Sequence, residues 1–262
     1  MKARYFQHLL GLALALLITF FAGNTIAADK PAAKAPPPGN IADRWVLWPK
    51  AGHEMAFEAA VKEYVAWLKK AGDPFTWAGY QPVVGNDLTY YVFRSENHVW
   101  KDFDAEEAWR EKAKDNENFM RILGPHVDKT THYFEETDAE HSHMIGEPSD
   151  YKYFSVTTRN LKSGSRAEAM AAIDKIHKAF IEQKWPYPYR LAWMIGGNGG
   201  LRVVFPMKNW AGMNDPSPSV KDVLSKALGP DEAAATLKQF GSLLEYTDQT
   251  IVVVRPDLST QK

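Results

Sequence analysis

One stretch of this chain occurs twice, and that repetition limits what the chain can fold into more than any other feature. Pro74-Phe75-Thr76-Trp77 is echoed by Pro186-Tyr187-Pro188-Tyr189, Gly85-Asn86 by Gly197-Asn198, and Val92-Phe93 by Val204-Phe205, all at a constant offset of 112 residues. Ala59-Ala60-Val61 returns at the same offset as Ala171-Ala172-Ile173, and Trp100 with Phe103-Asp104 returns as Trp210 with Met213-Asn214 at an offset of 110. An offset held across several separate matches signals an internal duplication. The fold must therefore be built from two copies of one unit.

The first copy reads as β-α-β-β-α-β. Arg44–Trp48 is a short aromatic strand stopped by Pro49. From Glu54 to Ala71, Phe57, Val61, Tyr64, Val65 and Leu68 recur at spacings of three and four, which marks one buried face of a helix closed by Gly72. A strand through Trp77 and Tyr80 turns at Gly85-Asn86 into Leu88–Arg94. A helix is expected from about Ala105 to Leu123, with Asp104 as N-cap, and Lys129–Glu135 is the last strand. The second copy repeats the order: strand Tyr151–Thr158, helix Arg166–Lys184, strands Tyr189–Ile195 and Leu201–Pro206, a helical region Val220–Gly241 interrupted at Gly229-Pro230, and strand Glu245–Arg255. The copies span 44–136 and 151–256, joined by a polar linker at 137–150 and followed by a short tail at 257–262. The fold class is α+β: two tandem ferredoxin-like (βαββαβ) units. Such a sheet carries helices on one face only, so the open faces are expected to pack sheet-to-sheet as an intramolecular barrel with the helices outside. Because the duplication supplies its own pairing, a monomer is expected.

The N-terminus reads as a signal peptide. Lys2 and Arg4 precede an apolar run from Leu9 to Ala22, and Thr25-Ile26-Ala27 suits cleavage, giving a segment of 1–27 followed by a Pro/Ala-rich leader at 28–43. The product is expected to be secreted, in the periplasm, with no stable membrane anchor after cleavage. The sequence contains no cysteine, which removes disulfides, thiolate catalysis and Cys-ligated metal centres. Beyond the signal segment, 29 basic side chains face 32 acidic ones with no basic patch, so nucleic acid is not an expected partner. The marked bias is aromatic, with nine Trp, eleven Tyr and thirteen Phe. Such side chains build cores and also wall small-molecule pockets.

Arg94, Arg190 and Arg202 fall in strands, where a charge must point to water or into a wet interior. Alternate side chains of a barrel strand face the lumen. The lumen set is therefore sought among Trp77, Tyr80, Tyr91, Tyr153 and Trp193 as ligand-binding walls, with Arg190 and Arg202 to pair with an anionic group or developing enolate and His132 as general base. His141-Ser142-His143 lies in the polar linker and lacks the three or four convergent ligands that a metal needs. No metal or cofactor is expected. The run Gly196–Gly200 joins two strands, so it is a hairpin turn and not a phosphate loop.

Two ferredoxin-like units, each with a Trp and a bulky partner (Trp100 and Phe103, Trp210 and Met213) after the third strand, resemble the dimeric α/β-barrel superfamily of antibiotic-biosynthesis monooxygenases, EthD-like and NIPSNAP-like proteins and haem-bearing chlorite dismutases. The resemblance is topological and transfers no catalytic residue. It implies a small apolar or aromatic ligand in the lumen, with cofactor-independent monooxygenase-like chemistry as a further expectation. The alternatives are an envelope module that binds another protein through a solid barrel, and a haem-dependent peroxidase-like protein with His177 as the candidate ligand. Trp100 and Trp210 are expected to plug the barrel ends.

Overall fold

The structure is a computed structural model that describes residues 39–197 and 199–260; the expected signal peptide and the leader up to residue 38 lie outside the described residues. The first half comprises β1 (Ile41–Pro49), α1 (Glu54–Ala71), β2 (Ala78–Val84), β3 (Tyr91–His98), α2 (Trp100–Ala113), α3 (Asp115–Ile122) and β4 (Val127–His143). The second comprises β5 (Tyr153–Leu161), α4 (Arg166–Glu182), β6 (Tyr189–Ile195), β7 (Leu201–Met207), α5 (Val220–Leu228), α6 (Pro230–Ser242) and β8 (Leu244–Val254). All strands join one closed antiparallel barrel in the order β1-β3-β2-β8-β5-β7-β6-β4. Each half keeps the ferredoxin-like order, and the halves meet edge to edge through β4–β6 and β2–β8. Closure leaves no strand edge unpaired, which removes the commonest route to edge aggregation. Pro82, which cannot donate to a ladder, sits where the β2–β8 register shifts.

Helices cover the outside of each half. Phe57, Val61 and Val65 of α1 are buried against Leu47 and Tyr91, and Leu68 against Phe75 and Trp77, as their periodicity predicts. Gly72 ends α1 in the left-handed region at φ 73°, where its N–H bonds the Leu68 carbonyl. In the second half Ala172, Ile173 and Phe180 of α4 pack on Trp185, Leu191, Trp193 and Leu201, with Val223 and Phe240 closing the layer. Burying each large side chain of these layers is worth about 1.5–3 kcal/mol.

Three expectations change. The first half of the expected linker, residues 137–143, is strand that continues β4: residues 134–138 pair with 191–195, and His143 pairs with Tyr189 after a register shift. Its polar residues serve that irregularity. The Asp138 carboxylate lies 2.9 Å from His141 Nδ1, while Ser142 Oγ donates to the Asp138 carbonyl at 2.5 Å and accepts from Leu191 N–H at 3.0 Å. The helix expected from Ala105 begins five residues earlier at Trp100, because Asp102 and not Asp104 caps it by accepting the Val99 N–H at 2.8 Å; Lys114, at φ 57°, then splits it from α3. Finally, Trp100 and Trp210 remain 52% and 48% exposed and lie on the outer surface, against Phe134 and Tyr153 respectively, so they do not plug the barrel.

Candidate functional site: a charged barrel lumen

Strand alternation sorts the side chains of the first half sharply. Trp45 and Leu47, Tyr91 and Phe93, and His132 and Phe134 face the helices. Their neighbours Arg44, Val92, Arg94, Glu96, Tyr133 and Glu135 face inward. The second half adds Arg190 and Arg202 and an apolar wall of Phe154, Val156, Val204, Pro206 and Val252. Between them lies a cavity of about 140 Å³.

Glu135, 3% exposed, is the hub of the charged side. Its carboxylate lies 3.0 Å from Arg94 Nε, 3.0 Å from Arg202 Nη1 and 3.6 Å from Arg44 Nε. Glu96 accepts from Arg190 Nη1 at 2.8 Å and also contacts Arg94. Tyr133 is held between two guanidiniums: Arg202 Nη2 donates to its hydroxyl at 3.1 Å, Arg44 bonds the same oxygen, and both cations lie over its ring at 5.4 and 5.0 Å. Three buried arginines and a half-buried fourth, Arg190, thus share two carboxylates. A third, Asp248, reaches the lining from the rim, where it accepts from Asn86 at 2.8 Å, and a positive excess remains even when it is counted. Three buried arginine nitrogens, Arg94 Nη2, Arg190 Nε and Arg202 Nε, have no hydrogen-bond partner among the described residues.

The field acts on every member. Burial alone would raise the Glu135 pKa, but Arg202, Arg94, Arg44 and Arg190 together drive it far below the usual carboxylate range. Arg94 above all holds Glu96 at about 2, against the pull of burial. Burial and then Arg202 lower Arg44 to about 9, which leaves it cationic at neutral pH. Both glutamates have folded pKa values below their unfolded ones. Their contribution to stability is therefore fully present above the unfolded pKa of about 4.3 and is lost as pH falls through the folded values. Urea midpoints are expected to hold between pH 7 and 5 and to drop steeply between about pH 4 and 2. A Glu96→Gln variant should start lower at pH 7 and fall less, and an acid limb identical to the parent's would refute the assignment.

Of the residues singled out in the sequence, Tyr80, Arg94, Arg190 and Arg202 meet in the lumen. The others lie on the opposite side of the sheet. His132 stacks on Trp45 at 4.2 Å and bonds Asp43 at 2.6 Å beneath the helices, because the two-residue period that turns Tyr133 and Glu135 inward turns His132 outward. Trp77 is buried against Leu68 and Phe75 and donates to Asp73 at 2.9 Å. Tyr91 packs on Phe57 and donates to Glu58 at 2.7 Å, where Arg255 grips the same carboxylate at 2.8 and 2.7 Å. Tyr153 stands 4.5 Å from Trp210, and Trp193 lies under the Arg166 guanidinium at 4.2 Å. Arg44, Glu96, Tyr133 and Glu135 were not anticipated. The available signal was charge within strands: Arg44 in β1, Arg94 and Glu96 two residues apart in β3, and Glu135 in β4.

His177 does not fit a haem ligand, because the layer beneath α4 that a haem would have to occupy is filled by Phe180, Trp185 and Tyr189.

No protein-family model and no curated protein matches this sequence. Solved structures do resemble it. A candidate monooxygenase from Fusobacterium nucleatum aligns at a TM-score of 0.51 and 12% identity over 84% of this chain and 94% of that one. Another from Lactobacillus acidophilus aligns at 0.50 and 10% over 86% and 96%. A chlorite dismutase variant from Candidatus Nitrospira defluvii aligns at 0.50 and 12% over 84% and 92%. With its closed barrel, its two ferredoxin-like halves and these neighbours, the chain has the fold of the dimeric α/β-barrel superfamily, completed within a single polypeptide.

Proposed function

We propose that this is an exported, monomeric protein that binds a small monocarboxylate with an apolar body inside its barrel. The observation that carries this reading is the set of three buried, unpartnered arginine N–H groups in a lumen where guanidiniums outnumber carboxylates. A buried donor without an acceptor costs about 1–3 kcal/mol, and an entering carboxylate would recover that. Arg–carboxylate pairing is also the strongest recognition available to these groups. The apolar wall from β5, β7 and β8 supplies the complement for the ligand body. A volume near 140 Å³ suits a molecule of about benzoate size or smaller.

The arginines would also stabilise an enolate, as monooxygenase-like chemistry requires. Proton abstraction is less well supported, because His132 faces away, the two buried glutamates are held strongly acidic and burial pushes the Tyr80 phenol up. Binding is therefore the preferred function, and a protein-binding module with a solid barrel is disfavoured by the cavity.

Calorimetric titration with benzoate and with neutral, nearly isosteric benzamide tests the proposal. Benzoate is expected to bind, benzamide at least tenfold more weakly, and Arg202→Met to weaken benzoate about tenfold or more, the scale of one lost charged hydrogen bond. Equal binding of the two ligands, or none of either, would refute it. Light scattering should give the mass of one chain.

A further inference from the structure

A second cavity lies outside the barrel, between the helices and the sheet of the first half. It is about 490 Å³ in volume, and its walls carry six aromatic rings: Trp45, Trp77 and Phe93 from the sheet side, Tyr64 from α1, Trp109 from α2 and Phe119 from α3. The corresponding layer of the second half is packed with Phe180, Trp185, Trp193, Val223 and Phe240. The difference arises in the helices. α5 and α6 bury Val223, Leu224 and Phe240, whereas the one buried residue of α2 is Glu106. A helix without an apolar stripe cannot fill the layer beneath it.

The charged groups of this cavity are predominantly acidic. Asp73, Glu107, Glu111 and Asp115 line it, against Arg110 as the one lining cation. Arg110 is already engaged by Glu106 and by Asp115 at 3.6 Å. Glu107 and Glu111 are exposed at the mouth, and neither is ion-paired among the described residues. Trp45 Nε1 is buried without a partner and can donate to one ligand atom.

We propose that this cavity is a binding site for a planar aromatic cation. The volume suits a drug-sized molecule, the rings other than Trp45, which is already stacked on His132 and covered by the Arg110 guanidinium, serve for stacking and cation–π contact, and the carboxylates supply the field. The lumen, with its excess of arginines, selects the opposite charge, so the two cavities take different ligands.

The test uses 9-aminoacridine, a planar cation at neutral pH, and anthracene-9-carboxylate, a tricyclic anion of similar shape, each titrated into the full chain with fluorescence readout. The cation is expected to bind saturably at one site and at least tenfold more tightly than the anion. Val65→Trp, which fills the cavity from α1, should abolish binding, and the double change Glu107→Gln/Glu111→Gln at the exposed mouth should weaken it roughly three- to tenfold. If Val65→Trp loses its native circular dichroism, the mouth variant decides. Non-saturable binding, equal affinity for the anion, an unchanged affinity in the mouth variant, or loss of binding in the lumen variant Arg202→Met would each overturn the proposal.

Discussion

Replacing Glu135 with glutamine is expected to destabilise the fold by about 3–5 kcal/mol, the range for breaking a buried ion pair from one side. Glu135 pairs with more buried cations than any other carboxylate among the described residues. It stands within 3.6 Å of Arg44, Arg94 and Arg202, and its side chain is 3% exposed. Glutamine preserves the shape and removes the charge, leaving four guanidiniums with Glu96 as the remaining buried counter-ion. For a domain of this size the midpoint of thermal unfolding should fall by about 10 °C. Urea unfolding at pH 7 measures the loss directly. The variant should also be rescued by benzoate more strongly than the parent, since an anion that binds only the folded state adds stability by mass action. A loss below about 1 kcal/mol would mean that water already screens these charges, and the recognition argument for the lumen would fail with it.

Residues 151–260 expressed alone should not form a stable barrel. Separated from the first half, this unit exposes the edges of β6 and β8 that pair with β4 and β2. Two copies could in principle join those edges to each other, as two chains do in a homodimeric barrel. Their lumen would then hold Arg190 and Arg202 twice over, with Asp248 of each copy at the rim but without Glu96 or Glu135, which both come from the first half, so cations would outnumber carboxylates two to one. Each uncompensated buried charge costs several kcal/mol, against a total stability of about 5–15 kcal/mol for a domain. The first half carries two arginines and two glutamates on its inner face, so a self-paired barrel of residues 39–147 is the better balanced of the two. Circular dichroism with light scattering on each half tests this. A folded, monodisperse dimer of the second half at neutral pH and low salt would refute the account of how charge is shared.

Much of the fold was legible because its signals are local. Helix α1 begins and ends where the spacing of Phe57, Val61, Val65 and Leu68 and the stop at Gly72 place it. The division of the last helical region at Gly229-Pro230 also appears as expected. The errors arose where polarity has two explanations. Thr137–His143 is polar because a joint between two halves needs side chains that bond an irregular ladder, and in sequence this looks the same as a solvated linker. Among the candidate site residues, Arg190, Arg202 and Tyr80 line the lumen, whereas His132, Trp77, Tyr91, Tyr153 and Trp193 belong to the outer face. Aromatic rings were assigned to the lumen because barrels with ligands often have such walls. Here the aromatics fill or line the helix layers, and the lumen is charged.

The duplication, the order of elements and the presence of charges in strands follow from the sequence, since repeats, periodicities and turn residues act over a few neighbours at a time. Which face of each strand looks inward depends on where the helices cross, and so on contacts between residues far apart in the chain. A strand reads the same with either face turned in, and a shift of one residue exchanges the two sets completely. The tertiary structure alone decided that Glu135 and not His132 stands inside the barrel, that three arginines converge on it, and that the first half leaves an aromatic cavity where the second is packed solid.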